Sequence, residues 1–244
     1  MQISNPVGWF GKLPSLGDFA SRRLSSEFIE LWDAWLSRGL ADWQASAPDD
    51  WLTHYLAGPS WCFIVLPATL PAFCGTMAWA GVLMPSVDRV GRYFPFTLAQ
   101  PLAQLPVNTS EVSALLGWLQ RLENLAVDAL HEGWSVDQLE AALLDEDAAP
   151  SALEPDAIVA CPLPGFADPR LHERLRGHVL WLTTFASGQL QLHLDHGLPR
   201  GERFNALFNS PSDQLFDLHL CGNSAATNAK TALLQQELTH THEY

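Results

Sequence analysis

Along "EFIELWDAWLSRGLADW", residues 27–43, Phe28, Trp32, Trp35, Leu36, Leu40 and Trp43 recur at helical spacing, with polar residues between them. This pattern predicts an amphipathic helix capped by Ser25 or Ser26. The pattern then changes. From Trp51 to Val87 there is no Asp, Glu, Lys or Arg. Pro67, Pro71 and Gly75 interrupt that stretch, so it lacks the roughly 20 unbroken apolar residues of a spanning helix. It predicts two buried strands, "WCFIVLP" and "TMAWAGVLM", joined by a Pro-rich loop. "YFPFTLAQPL" predicts a third strand. Helical spacing returns in "TSEVSALLGWLQRLENLAVDALHEG", whose stripe includes Val112, Leu115, Leu116, Leu119, Leu122 and Leu130. Thr109 or Ser110 would cap this helix, and Gly133 would end it. "SVDQLEAALLDED" predicts a shorter helix with Ser135 as N-cap. After a Pro- and Ala-rich connection, "HVLWLTTF" and "GQLQLHLDHG" predict a hairpin across Ala186-Ser187-Gly188. "GERFNALFN" predicts a short helix. Clear periodicity then lapses until "KTALLQQEL", and residues 224–244 are expected to fray.

Strands and helices are mixed without βαβαβ alternation. The expectation is an α/β (α+β-like) fold with a largely antiparallel central sheet flanked by helices. A boundary near residues 147–160 is conceivable, but the hairpin beyond it would then lack a partner layer. A single domain over residues 1–244 is therefore preferred, with an acidic helical subregion at 109–147. Hydrophobic residues at 48% exclude a disordered chain, and ten Trp with twelve Phe imply an aromatic-rich interior.

Charge sharpens this picture. There are 13 Lys and Arg against 27 Asp and Glu, a net charge of −14. Between Glu123 and Asp156 lie ten acidic residues and no Lys or Arg. Such a surface repels nucleic acid and anionic lipid. An acidic run of this kind is usually a solvated helix face, although it could also dock a basic partner. Cys62, Cys74, Cys161 and Cys221 form no CxxC pair and sit among apolar residues, so they read as buried thiols in a reducing compartment. The opening "MQISNPVGWFGK" has no basic segment followed by an apolar one, so no secretory signal is expected.

Two loops concentrate the candidate chemistry. The first is "VGWFGKLPSLGDFASRRL", residues 7–24, with Gly11, Lys12, Asp18, Arg22 and Arg23. It is not a nucleotide loop. Pro6 stands where the first glycine of a P-loop belongs, and Leu13 stands where the magnesium-binding hydroxyl belongs. The second is "GVLMPSVDRVGRYFPFTLAQ", residues 81–100, with Ser86, Asp88, Arg89 and Arg92 around Gly91. Five of the chain's 13 basic residues lie in these two loops. They could converge on a phosphate or a partner carboxylate. Alternatively, Asp18 and Asp88 would pair with the arginines and pin the loops together, and this structural reading carries more weight. No G-x-S-x-G elbow accompanies Ser15, Ser60 or Ser86, so no catalytic residue is assigned. "HLDH" puts His193 and Asp195 on one face of a predicted strand beside His196, too few ligands for a metal site. His240 and His242 carry less weight still. No cofactor is expected.

The same blocks, "GWFGKLPSLGDFASRRL" with "WDAWL" and then "GVLMPSVDRVGRYFPFTLA", resemble the signature of the TagF (ImpM) family of type VI secretion accessory proteins. The resemblance is clear over residues 7–100. "HVLWLTTFASGQLQLHLDHGLPRGERFNALF" resembles the family's later strand-hairpin-helix, with Trp181-Leu182 where members often show a Trp pair. The resemblance implies a cytoplasmic, non-enzymatic negative regulator in a Gram-negative bacterium. It would act post-translationally on a cytoplasmic secretion component, above all the forkhead-associated scaffold protein. It implies no phosphatase activity, because the chain has no room for the phosphatase domain fused to some members. The motif residues carried over are Gly11, Lys12, Pro14, Gly17, Asp18 and Phe19, then Pro85, Ser86, Asp88, Arg89, Gly91, Arg92 and Phe94. Lys12, Arg22, Arg23, Arg89 and Arg92 are the candidate partner- or anion-binding residues. The alternative function is a small-molecule or phosphate-handling enzyme that uses the same basic loops.

Overall fold

A computed structural model describes residues 7–71, 74–147, 163–184, 190–209 and 218–219. The elements run β1 (Gly8–Gly11), β2 (Ala20–Arg22), α1 (Ser26–Ser46), α2 (Trp51–Ala57), β3 (Trp61–Val65), β4 (Ala78–Met84), β5 (Phe96–Leu102), α3 (Thr109–His131) and α4 (Val136–Asp147). A 3-10 turn at Pro164–Ala167 then leads to α5 (Pro169–Arg174), β6 (His178–Thr184), β7 (Leu190–His196), α6 (Glu202–Asn205) and the two-residue β8 (Leu218–His219). Among the described residues the strands form one open sheet, in the order β2-β1-β5-β4-β3-β6-β7-β8. Every neighbouring pair is antiparallel. This is the mixed α/β fold with an antiparallel sheet that the pattern predicts. The predicted hairpin strands are β6 and β7, and β6 pairs with β3, so the hairpin extends the same sheet. Its turn lies outside the described residues, as do Cys161, Cys221, His240, His242, "KTALLQQEL" and the tail.

The central strands read as continuous apolar runs because helices cover both faces of the sheet. Cys62 and Ile64 of β3, Ala80 and Val82 of β4, and Leu180 and Leu182 of β6 face one core. That core is closed by Val112, Leu119 and Leu122 of α3 and by Leu139 and Leu143 of α4. The intervening residues Trp61, Phe63, Val65, Trp79, Leu83, Val179 and Trp181 face the other core, under the aromatic stripe of α1. Period-two alternation is present, but both phases are apolar.

All six stripe residues of α1 are buried, and Ser25 is the N-cap, its side chain accepting from the Phe28 N–H. Several indoles combine burial with a polar partner. Trp32 Nε1 donates to Thr97 Oγ1 at 3.0 Å, Trp35 Nε1 to the Pro199 carbonyl at 2.8 Å, and Trp61 Nε1 to the Leu207 carbonyl at 2.6 Å. Truncating any one of them to Ala would cost about 3–5 kcal/mol.

Three local expectations change. The cap of α3 is Asn108, whose side chain accepts from Glu111 N–H at 2.9 Å, and neither Thr109 nor Ser110 holds that position. Asn108 is one residue earlier in a run of three capping-competent side chains, and only the backbone turn selects among them. Trp51–Ala57, part of the uncharged stretch, forms α2. The first signature block, read from sequence as a loop, holds a strand pair, β1 and β2. The Ser135 cap is present, with Gln138 N–H donating to Ser135 Oγ and Ser135 N–H donating to Gln138 Oε1, a reciprocal box.

Candidate functional site

The two signature blocks meet at one end of the sheet. β1 pairs with β5, which brings the β1–β2 connection beside the β4–β5 connection. Gly11 makes the close approach possible. Its φ is +130°, and a Cβ there would lie 2.2 Å from the Pro95 carbonyl oxygen. The second connection folds on itself through a bridge between Val87 and Tyr93, with Gly91 at φ +84° allowing the reversal.

Asp88 is the centre of the junction. Its side chain is fully shielded, though by its own loop and two cations and not by depth in a core. Oδ1 accepts from the N–H groups of Val90 (3.0 Å) and Arg92 (2.9 Å). Oδ2 accepts from Arg92 Nε at 2.7 Å and lies 3.1 Å from Lys12 Nζ. Burial pushes this carboxyl up, but the Arg92 backbone and guanidinium, Lys12 and the Val90 N–H outweigh it. They hold the carboxyl well below the usual carboxylate range.

Each predicted site residue can now be placed. Lys12 is not a surface cation: it is 4% exposed, paired with Asp88, and its ammonium lies 4.9 Å from the centroid of the Phe19 ring. Phe19 in turn meets Phe10 and Phe94 at 6.0 and 4.8 Å. Arg92 links the loops, donating to the Gly17 carbonyl and lying 3.7 Å from Asp18. Arg23 is also engaged internally. Its Nε donates to the Val7 carbonyl at 2.9 Å and its Nη1 pairs with Glu140 of α4, which holds it at the uncommon φ of +61°. Arg22 donates to its neighbour's carbonyl, Ser21 O, and stands over the Trp9 ring. Arg89 is exposed and has no ion pair among the described residues. The structure therefore joins Lys12, Asp18, Asp88 and Arg92 into a clasp. Lys12 and Arg23, expected from the sequence among the partner-binding cations, instead tie parts of the chain together.

Ser86 is equally engaged. Its Oγ donates to the Lys12 carbonyl at 2.7 Å. The Tyr55 hydroxyl of α2 donates to the Ser86 carbonyl and accepts from the Ser86 N–H, both at 2.9 Å, and burial pushes the phenol pKa up. Pro85 and Pro14 flank these contacts, half-buried. The acidic helices are fastened to the same end: Ser15 Oγ donates to the Trp134 carbonyl at 2.6 Å, and Trp9 Nε1 donates to Glu140 Oε1 at 2.6 Å. Sequence reasoning missed Tyr55 and Glu140. Neither belongs to a motif, and both act from helices remote in sequence.

Elsewhere, Glu123 departs from the expected solvated acidic face. It is 8% exposed and accepts from Ser60 Oγ and from Gln120 Nε2 at 2.9 Å; burial pushes its carboxyl up. Asp195 is buried and meets Arg203 at 2.7 Å, while the His193 ring lies tilted 4.8 Å from that of Trp61. Among the described residues no three His, Cys, Asp or Glu side chains converge as metal ligands.

The profile of the TagF N-terminal domain, described as type VI secretion system-associated, matches residues 8–145. The chain belongs to the TagF family. That match spans both signature loops and the helices α3 and α4 fastened to them. The crystal structure of PA0076 from Pseudomonas aeruginosa PAO1 is similar to this TagF-family chain at 31% identity and a TM-score of 0.65. The similarity covers 89% of this chain and all of PA0076. It therefore reaches beyond the N-terminal match. No curated protein sequence matches the chain. Among the described residues of this family member, no helix is long and apolar enough to cross a membrane.

Proposed function

We propose that this TagF-family chain is a cytoplasmic, non-enzymatic repressor of bacterial type VI secretion. It acts after translation by binding a cytoplasmic component of the system, the forkhead-associated scaffold protein. The family's secretion-system association is the starting point. The observation that carries the rest is the occupation of the signature loops. The Ser86 hydroxyl, the Asp88 carboxylate and the Lys12 ammonium each hold another part of the chain. A catalytic group must reach a substrate, whereas these groups shape the end of the sheet. That supports a contact surface over an active site. The acidic net charge weighs against nucleic acid and anionic membranes as partners.

The test is to delete and then restore the gene in a host whose type VI system is active. Secreted substrates are measured in the supernatant while transcript levels are followed in parallel. Repression requires that restoring the chain lowers secretion with transcripts unchanged. The purified chain should also bind the purified scaffold. Unchanged secretion on deletion and overexpression would defeat the proposal.

A further inference from the structure

The β4–β5 connection is unusually complete for an exposed loop. All five backbone N–H groups from Asp88 to Arg92 are engaged. Asp88 N–H donates to the Arg92 carbonyl at 3.0 Å, Arg89 N–H to the Leu16 carbonyl at 2.8 Å, and Gly91 N–H to the Asp88 carbonyl at 3.0 Å. Val90 and Arg92 donate to the Asp88 carboxylate. Lys12 and Arg92 then neutralise that carboxylate. The loop is held from both sides, yet among the described residues the two side chains at its apex hold no partner. Val90 is 63% exposed, the largest exposure of any big apolar residue described. Arg89 is exposed, has no ion pair among the described residues, and lies over Gly17, where a Cβ would be 3.6 Å from its guanidinium.

Rigid presentation of free side chains lowers the ordering cost of association. The chemistry also narrows the occupant. A phosphate or other small anion is held by several converging N–H groups, and here every loop N–H already has an acceptor. Only one guanidinium remains, beside an exposed branched apolar side chain. On a chain of net charge −14, this apex carries a free positive charge, which suits a carboxylate at the rim of an apolar recess. We propose that the Arg89–Val90 apex is a preorganised contact for a partner protein. Val90 enters an apolar recess, and Arg89 pairs with an acidic side chain at its edge. This inference rests on the reading above that the chain acts by binding a protein.

The experiment uses the full chain and the variants R89E, V90D, R89A and V90A, with D128K on the exposed acidic face of α3 as a control. Melting temperatures come first and should match the wild type, because neither apex side chain has a partner among the described residues. Repression of secretion is then compared in the host. We expect R89E and V90D to lose about tenfold in repression, as contact residues do. R89A and V90A should lose less, and D128K should repress normally. Folded R89E and V90D that repress like the wild type would overturn the inference and leave the functional reading standing. Loss confined to D128K would move the contact to the acidic helices and also overturn it. Stabilisation of the wild type, but not of R89A, by inorganic phosphate would assign an anion site in its place. A wild-type chain without effect on secretion would bring down the functional reading and the inference together.

Discussion

Replacing Tyr55 with Phe removes one oxygen from the support of the second signature loop. The residue is fully buried, and its ring contacts with Trp51, Tyr93 and Phe208 would persist. No cavity forms and little apolar area changes. What changes is hydrogen bonding at Ser86. The Ser86 carbonyl keeps the Phe94 N–H at 3.1 Å. The Ser86 N–H, which now donates to the Tyr55 oxygen, is left without that acceptor. One buried donor orphaned costs about 1–3 kcal/mol. In a chain of this size, each kcal/mol lowers the melting temperature by roughly 2–4 °C, so a fall of about 2–12 °C is expected. Ser86→Ala should destabilise on the same scale, because it removes the hydroxyl that donates to the Lys12 carbonyl. Thermal and urea unfolding measure both, and amide exchange at Ser86 should accelerate in the Tyr55 variant. A melting temperature within about 1 °C of the wild type, with exchange at Ser86 unchanged, would refute the reasoning. The pair of variants also separates two roles for Ser86. As a scaffold residue, its loss should reduce function only in proportion to the folded fraction. As a nucleophile, its loss would abolish function at full stability.

The pH dependence of unfolding should carry two signatures. Asp88 has a depressed pKa, so its contribution is fully present above the ordinary value of 3.8 and is lost as pH falls through the folded value; Asp88→Asn should flatten that acid limb. Glu123 has a raised pKa, so the native state holds its proton longer. Stability should decline as pH climbs above the ordinary 4.5, and Glu123→Gln should remove that decline in urea titrations. Gly11→Ala should prevent normal assembly of the β1–β5 end. It sets a Cβ 2.2 Å from a backbone oxygen at φ +130°, and circular dichroism with limited proteolysis would detect the failure. A well-folded Gly11→Ala chain would mean that β1 and β5 do not approach as described.

Much of the architecture was readable along the chain because it is local. The stripe Phe28, Trp32, Trp35, Leu36, Leu40 and Trp43 obeys one period, and every member is buried against one face of the sheet. "WCFIVLP" and "TMAWAGVLM" announced strands by composition and length. That same uniform composition concealed which residues face which helix layer, since both layers are apolar. It also concealed α2, whose seven residues are too short for a period to stand out. Glu123 was misread because its acidic neighbours suggest water, while its register on α3 turns it toward Ser60 and Cys62.

At the candidate site the division is sharper. By itself the sequence supplied the residue types: two glycine-bearing loops, scarce cations concentrated in them, and two aspartates nearby. It could not say which cation meets which carboxylate. Lys12 and Asp88 are neighbours only because β1 lies against β5, and Arg23 is tied down only because α4 presents Glu140 beside it. Side-chain spacing along a strand or helix is set by local backbone geometry and is written in the order of residues. Pairing between distant loops depends on sheet order and helix docking, which the whole chain settles together. Tertiary structure alone therefore decided that Lys12 lies inside, that Arg92 bridges the two loops, and that Arg89 is left facing out.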